Sequence, residues 1–442
     1  MVMPVARVVR RLRSAREGLW LQPLIAGVVG CGLALAIPHV AQVLPKGALE
    51  GLPTLSAESV IEMLKVITTG IITIIALSFS ALLVVLNLTA SQYSPRLVRG
   101  VMHGQVTQTI LGIHVATFAY NGTTLFLLSA ENADPGRTSL SAIGLVLTAV
   151  ASLAALVWFM HHFSVALQIT ELLRSTHRDI ARSLDALLDA PASDGPAEDP
   201  PDAAGSSLVF PSEAGYLETC DVPAILEIAE KRDLRIRVIR FAGHFAPRDE
   251  PIMIVHPAER VGPEDLANLR RAYAIGSDRT IADDLLYGID LLAEVAMRAL
   301  SPGINDPRTA ANSVDYIGDL LRRLARSPLP AVSIRDGSGR IRVWLPTITF
   351  QRILDNGIRD VARAAETHPD VLVTMATMLH EVIGHALPER RPALRELVAD
   401  LLVRARHAGL VEHDLMLVGE AVRTALGEPP DRDGIQHPGP RT

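Results

Sequence analysis

The sequence predicts a membrane protein with an all-α transmembrane part, four helices in all, and a cytoplasmic α+β domain that is mostly helical. The main observation is an uneven distribution of apolar residues, because most long apolar runs lie before about residue 165 of the 442-residue chain. The remaining residues alternate amphipathic segments with a small strand unit and a hairpin. A net charge of -6, with the basic residues dispersed along the chain, argues against a nucleic-acid partner.

The transmembrane domain is predicted at 19–165. Its four spans are expected at about 20–37, 66–88, 107–128 and 139–163, each long enough to cross a bilayer. A signal peptide is the alternative for the first run, because arginines precede it and Ala34-Leu35-Ala36 is similar to a cleavage site. Three further spans favour a transmembrane helix there.

The loop charges predict the orientation. Five arginines precede the first span, at positions 7, 10, 11, 13 and 16, and Arg174, Arg178 and Arg182 follow the fourth. Arg96 and Arg99 lie between the second and third spans, whereas the opposite loops contain Lys46, Lys65 and Arg137. Basic residues favour the cytoplasmic side, so the chain is expected to be a multi-pass protein of the bacterial inner membrane with both termini in the cytoplasm.

The second span carries a stripe of small and polar residues at alternating steps of about three and four. Its members, the candidate pore-lining residues, are Thr69, Thr73, Ala76, Ser80 and Asn87. Such a stripe either lines a wet pore in a homo-oligomer or lets helices approach closely. In a pore, Lys65 at one mouth and Arg96 and Arg99 at the other favour anions.

The rest of the chain divides by composition. The predicted segments are a basic cytoplasmic N-terminus at 1–18, a juxtamembrane helix at 166–190, a linker at 191–207, a small α/β strand unit at 208–260, a helical cytoplasmic domain at 261–426 with a hairpin at 331–345, and a disordered tail at 427–442.

The helical domain is interrupted at Ser301–Pro307, which contains a candidate ligand loop formed by Asn305 and Asp306. A structural role explains the same residues, because Asp306 is a good N-cap and Pro307 suits the first turn of a helix. The two interpretations remain open from the sequence alone.

No catalytic, cofactor-binding or metal site is predicted, so the chain is not expected to be an enzyme. His380 and His385 flank a Glu-containing segment that is similar to a zinc-protease helix. A spacing of five residues places the two imidazoles about 140° apart around a helix, whereas the metal motif needs positions i and i+4.

Two segments resemble a known bacterial family. They run from Ser78-Phe79-Ser80 to Gln92-Tyr93-Ser94-Pro95-Arg96, and from Ala299 through Ser301-Pro302-Gly303-Ile304-Asn305-Asp306-Pro307 to Thr309-Ala310. Both resemble the domain of unknown function 2254 family, and the resemblance extends over about 10–425. It implies a membrane location and the same order of segments, without a settled activity. The family often has an aromatic residue at the position of Arg308, so the resemblance gives Arg308 no role.

The functional expectation is a homo-oligomeric, channel-like pore with a cytoplasmic regulatory domain, and the basic residues at its mouths favour anions. The alternative is a non-conducting, membrane-anchored sensor or scaffold that binds a ligand or partner in the cytoplasm. The expected partners are the lipid bilayer, further copies of the chain, and a small anion or cytoplasmic ligand. An enzyme acting on lipid is a minor third option.

Overall fold

A computed structural model describes residues 20–43, 56–92, 105–130, 135–166, 168–188, 198–281, 284–329, 333–346 and 348–428. The described chain divides into two compact units, which meet in sequence between Glu171 and Leu172. We call them the N-terminal unit and the C-terminal unit. The predicted basic N-terminus at 1–18 and residues Arg96 and Arg99 lie outside the described residues.

The N-terminal unit consists of four described helices. They are α1 (Leu21–Val43), α2 (Ala57–Gln92), α3 (Gln105–Ala130) and α4 (Pro135–Ala166). Three segments, Ala57–Val84, Val106–Ser129 and Thr138–His162, are long and apolar enough to cross a membrane, and Leu21–Ile37 is a shorter apolar stretch. The structure therefore contains three candidate spans by length and composition, where the sequence predicted four. Helix α2 begins earlier than its apolar run because Ser56 accepts a hydrogen bond from the Ser59 amide at 3.2 Å.

Helices α1 and α3 pack closely through small residues. Gly30 lies against the Ala116 backbone, and a methyl group added at Gly112 meets the Ala26 side chain at 3.3 Å. In lipid, two apolar helices gain little free energy by burying apolar side chains against each other, because the lipid is equally apolar. Close backbone approach and van der Waals contact therefore provide most of their attraction. Between these helices, the Gln22 amide also donates to Thr109 at 3.1 Å.

The C-terminal unit mixes helices and strands. Its helices are α5 (Ile169–Leu188), α6 (Val222–Arg232), α7 (Pro263–Arg271), α8 (Leu285–Ala299), α9 (Pro307–Arg326), α10 (Phe350–Ile353), α11 (Arg359–Ala364), α12 (Pro369–His385), α13 (Arg391–His407) and α14 (Glu412–Leu426). Its strands are β1 (Ser207–Val209), β2 (Gly215–Cys220), β3 (Arg235–Val238), β4 (Phe245–Ala246), β5 (Met253–His256), β6 (Tyr273–Gly276), β7 (Ser333–Arg335) and β8 (Ile341–Trp344).

The strands form two sheets. One has the order β1-β5-β3-β8-β7, and the other has the order β4-β2-β6. Strands β7 and β8 are an antiparallel hairpin around Asp336–Arg340, in the segment where the sequence predicted one. Strand β8 also pairs with β3 in parallel, with Ile236 opposite Val343. The hairpin and the strand unit thus share one sheet and one core that includes Ile225, Ile236 and Val343. From the sequence they were predicted as separate segments.

Two features of the C-terminal unit differ from the sequence prediction of long helices. The segment after α7 forms strand β6, which pairs antiparallel with β2 and places Ile275 opposite Leu217. Within the predicted helical domain at 261–426, the helical segment after β8 is interrupted at Leu354–Ile358, where Asn356 has non-helical torsions and Gly357 has a φ of 85°. A positive φ favours glycine and does not occur in a regular α-helix. The apolar pattern of the sequence therefore continues through a position at which the helix is interrupted.

Helix α5 packs onto α8 inside the C-terminal unit. Leu173, Ile180 and Leu184 are buried, as the amphipathic pattern predicted. Gly288 provides the contact surface on α8, because a methyl group there meets Ile180 Cγ1 at 2.6 Å. Ser183 adds a hydrogen bond from its hydroxyl to the Ile281 carbonyl at 3.1 Å.

Candidate functional site

The predicted pore stripe lies on the outward face of α2. Its five residues, Thr69, Thr73, Ala76, Ser80 and Asn87, are all exposed in the single chain, while Leu64, Ile71 and Leu82 on the opposite face are buried. The threonine hydroxyls bond to their own helix, from Thr69 to the Lys65 carbonyl at 2.9 Å and from Thr73 to the Thr69 carbonyl at 3.0 Å. The stripe is therefore accessible, and these two hydroxyls already have hydrogen-bond partners without water in a pore.

The charges on α2 just before the first residue of this stripe are mixed. Lys65 is exposed, but Glu58 and Glu62 are exposed there as well, seven and three residues before it. Positions three, four and seven apart share a helix face, so the two carboxylates accompany the lysine. Lys65, which is predicted to lie at one mouth of the pore, is therefore accompanied by two carboxylates.

The predicted ligand loop has a structural role in this fold. The Asp306 carboxylate accepts the Thr309 amide at 3.1 Å and caps α9. Asn305 has a φ of 50°, and its side-chain oxygen lies 3.3 Å from His368 Nε2. The structure thus brings Asn305 next to His368 at the surface, and it uses Asp306 to start a helix.

A different set of residues lines a cleft of about 200 Å³ in the C-terminal unit. Its walls come from three segments that are far apart in the sequence: Phe241–His244, Arg279 with Asp284 and Leu286, and Pro346 to Asn356. Gly243 makes this possible, since its φ is 87° and a side chain there overlaps the Asp284 carboxylate. We call this site the α8 cleft, because Asp284 caps the N-terminus of α8.

A network of paired charges holds one wall of the α8 cleft. Arg279 donates from Nε to Asp284 at 2.7 Å and from Nη1 to Asp290 at 3.1 Å, and its guanidinium lies 4.8 Å from the centre of the Tyr287 ring. Asp290 also accepts the Asn356 amide at 2.9 Å. Burial raises the pKa of Asp290, against the opposing effect of Arg279. Both carboxylates are thus already engaged with Arg279.

The opposite edge of the cleft presents His244 and Arg352. The Phe241 amide donates to His244 Nδ1 at 3.4 Å, and Arg352 Nη2 lies 3.4 Å from His244 Nε2. Burial, reinforced by the positive charges of Arg352 and Arg240, lowers the pKa of His244 and so favours the neutral ring.

A neutral imidazole carries one proton, so only one of its two nitrogens accepts a hydrogen bond. Two N–H donors, the Phe241 amide and the Arg352 guanidinium, lie next to the two nitrogens, so the ring accepts from one of them and not from both. Arg352 is exposed and has no acidic partner within the described part of the chain. This edge of the cleft consequently has one N–H donor more than the ring accepts, beside the positive charge of Arg352.

Comparison with known proteins identifies the family. Residues 16–381 match the model of a family described as predicted membrane proteins, the domain of unknown function 2254 family. The chain belongs to this family. Uncharacterized proteins of Mycobacterium bovis and Mycobacterium tuberculosis are each 27% identical to it over 439 residues, which cover 96% of this chain and 83% of each relative. No solved structure matches the chain significantly.

The sequence motifs that indicate the family do not mark the α8 cleft. Ser301–Pro307 lies at the C-terminal end of α8, whereas the cleft is at its N-terminal end. A spacing of four residues between Asp290, Glu294 and Arg298 is typical of a salt-bridge ladder on an exposed helix face. The structure pairs Asp290 with Arg279 instead. One available signal was the turn at Gly243-His244, which separates the apolar pair Phe241-Ala242 from Phe245-Ala246.

Proposed function

We propose that this member of the family is a membrane-anchored receptor that binds a small anion in the α8 cleft. The observation that carries the proposal is the positive charge of Arg352 at the edge of the cleft, beside a His244 ring that accepts only one of its two neighbouring donors. An oxygen acceptor bound in the cleft pairs with the Arg352 guanidinium, and a negative charge on that acceptor matches the charge of the guanidinium. Carboxylate and phosphate groups have this chemistry.

The size and charge of the cleft support a small ligand. A volume of about 200 Å³ is below the usual range of roughly 300–1,000 Å³ for drug-sized ligands. Asp284 and Asp290 do not repel an anion as free carboxylates do, because Arg279 and Asn356 already bind them. The described lining residues include no Ser, Thr or Cys nucleophile, so the proposal is binding without catalysis.

The same contacts link the cleft to the helix that follows α4. Asp284 begins α8, and four residues later Gly288 packs against Ile180 of α5. Ser183 of α5 contacts the Ile281 carbonyl, three residues before Asp284. A ligand that prefers one arrangement of Arg279 and Asp284 therefore acts on the helix that directly follows α4 in the chain.

Isothermal titration calorimetry of the full-length protein in detergent tests the proposal, with inorganic phosphate and acetate as probes and glycerol as an uncharged comparison. We expect saturable binding of one anion and none of glycerol. Arg352→Gln should weaken that binding about tenfold or more, since it removes a charge-assisted hydrogen bond. Arg308→Gln is the matched control, because Arg308 is also exposed but lies outside the cleft. Equal affinity in both variants would refute the site.

We also propose the finer topology: four spans in the bacterial inner membrane, both termini and the C-terminal unit in the cytoplasm. The support is the excess of arginine in the loops on one side. Labelling of single cysteines placed at Lys46 and at Arg406 in intact cells tests it. Position 46 should react with a membrane-impermeant reagent, and position 406 should react only after lysis.

A second candidate function is a homo-oligomeric pore lined by the α2 stripe. The exposure of Thr69, Thr73 and Ser80 in the single chain supports it, because polar residues facing outward in a membrane helix are suited to contact with further copies. Planar-bilayer recording of the purified protein tests this function. An absent conductance, or one unchanged by Thr73→Val and Ser80→Ala, argues against the pore.

A further inference from the structure

Two apolar layers cross the N-terminal unit at different levels. The first layer is formed by Leu82, Ile110, Ala155 and Phe159, and the second by Val60, Leu64, Leu128, Ala142 and Leu145. Leu82 and Leu64 are 18 residues apart on α2, and Leu128 and Ile110 are 18 residues apart on α3. At 1.5 Å per residue the layers are separated by about 27 Å, and α2 and α3 run in opposite directions.

The same register places polar residues of facing helices at common levels between these layers. Ser78 lies four residues before Leu82 on α2, and His114 lies four residues after Ile110 on α3. Because the two helices run in opposite directions, Ser78 and His114 are at the same level. Moving four residues from Leu64 and from Leu128 brings Thr68 to the level of Thr124. Helix α4 contributes Ser152, whose hydroxyl lies 2.8 Å from His114 Nδ1.

These polar groups are buried, and several lack a partner. Asn121, His114 and Ser152 are 0% exposed and Ser78 is 8% exposed. Among the described residues, both amide atoms of Asn121, His114 Nε2 and the hydroxyls of Ser78 and Thr68 have no hydrogen-bond partner. Buried polar groups in proteins are nearly always hydrogen-bonded, and a hydrocarbon environment makes an unpaired one still less favourable.

The unpaired atoms define the chemistry of what satisfies them. They include donors and acceptors, and no Asp, Glu, Lys or Arg lies between the layers on α3 or α4. On α2, Lys65 follows directly after Leu64 of the second layer and is exposed. An ion of either sign therefore finds no buried counter-charge on these helices. A small uncharged molecule that both donates and accepts hydrogen bonds matches the set.

We propose that the region between the two apolar layers is a hydrated compartment that binds water through Ser78, His114 and Asn121. The compartment spans about 10 Å from His114 to Asn121 along α3. The apolar layers close it at both ends, so exchange with bulk solvent passes Ile110 or Leu128. This site is independent of the α8 cleft.

Infrared spectroscopy of a buried thiol in the full-length protein tests the compartment. The background carries Cys31→Ser and Cys220→Ser, and the probe is Ser78→Cys in lipid nanodiscs. On transfer to D2O we expect the S–H stretching band to disappear within minutes, because water reaches the thiol. The matched control is Leu64→Cys in the second apolar layer, where the band should persist much longer. Protection of both thiols would overturn the proposal, and so would equally fast exchange of both.

Thermal unfolding of Asn121→Leu gives a second measurement that does not need a thiol. If Asn121 binds water, the apolar side chain displaces it and leaves His114 and Ser78 unpaired, and the midpoint falls by about 2–4 °C or more. If the amide is dry and unpaired, the similar-sized leucine removes a buried polar group and the midpoint rises, which would overturn the proposal. Thr73→Val on the outward face is the control and should leave the midpoint unchanged.

Discussion

Removal of the Asp284 carboxylate is the most informative single perturbation of the α8 cleft. Asp284 has two roles: Oδ1 accepts the Tyr287 amide at 3.0 Å and caps α8, and Oδ2 accepts Arg279 Nε at 2.7 Å. Asp284→Ala removes both. Asp284→Asn keeps an N-cap acceptor and removes the negative charge, so the pair of variants separates the two contributions.

The structure sets the size of each effect. Loss of an N-cap costs about 1 kcal/mol. The charge-assisted bond to Arg279 contributes roughly 2 kcal/mol, near the lower end for its class, because Arg279 is 26% exposed and keeps its bond to Asp290. We therefore expect about 3 kcal/mol of destabilisation for Asp284→Ala and about 2 kcal/mol for Asp284→Asn. At roughly 2–4 °C per kcal/mol, the two midpoints should differ by about 2–4 °C.

The assay is thermal unfolding followed by the fluorescence of Trp344, which is buried in β8, in a background with Trp20→Phe and Trp158→Phe. Asp360→Ala is the control, because its ion pair with Arg363 is exposed and should contribute less than about 0.5 kcal/mol. Equal midpoints for the alanine and asparagine variants would refute the capping role. Midpoints equal to that of the parent protein would refute the role of the network in stabilising the cleft wall.

Three further predictions concern other contacts of the C-terminal unit, each measured by thermal unfolding. Gly288→Ala should destabilise by about 1–3 kcal/mol because the new methyl group overlaps Ile180, whereas Gly303→Ala, with open space around it, should not. Asp306→Ala should cost about 1 kcal/mol through the lost cap of α9, and Asp306→Asn should recover most of it; equal losses would contradict the cap. Hydrogen bonds from Ser338 and Arg342 lower the pKa of Asp336 below the value of 3.8 for the free carboxyl group. The stabilisation that these bonds give the folded state is complete above the pKa of the unfolded state, and it is lost as the pH falls through the lowered pKa of the folded state. The midpoint difference between the parent and Arg342→Leu should therefore shrink toward about pH 2, and a constant difference would exclude the linkage.

The local parts of the fold could be predicted because each depends on a pattern within one segment. The apolar runs predicted the helices of the N-terminal unit, and the spacing of Leu173, Ile180 and Leu184 predicted the buried face of α5. The cap at Asp306 was recognisable because its signal lies within four residues. No pattern within a segment indicates that β8 pairs in parallel with β3, about a hundred residues earlier in the chain.

The α8 cleft could not be predicted for the same reason. His244 and Arg352 approach within 3.4 Å only after the turn at Gly243 and the interrupted helix at Gly357 have formed. The buried polar row of the N-terminal unit did leave a signal in the sequence. Thr107, His114 and Asn121 recur every seven residues, which places them on one face of α3.

The α2 stripe is exposed and the polar row on α3 is buried, so their polar groups differ in what they cost in free energy. On α2 the threonines satisfy their hydroxyls within the helix, so an outward position in lipid costs little. On α3 a fully buried Asn121 has no such internal solution, because its amide finds no partner among the described residues. A membrane helix retains an unsatisfied amide at its centre only at a considerable cost in stability. The α3 row, more than the α2 stripe, is therefore the part of the N-terminal unit where packing alone does not account for the residues present.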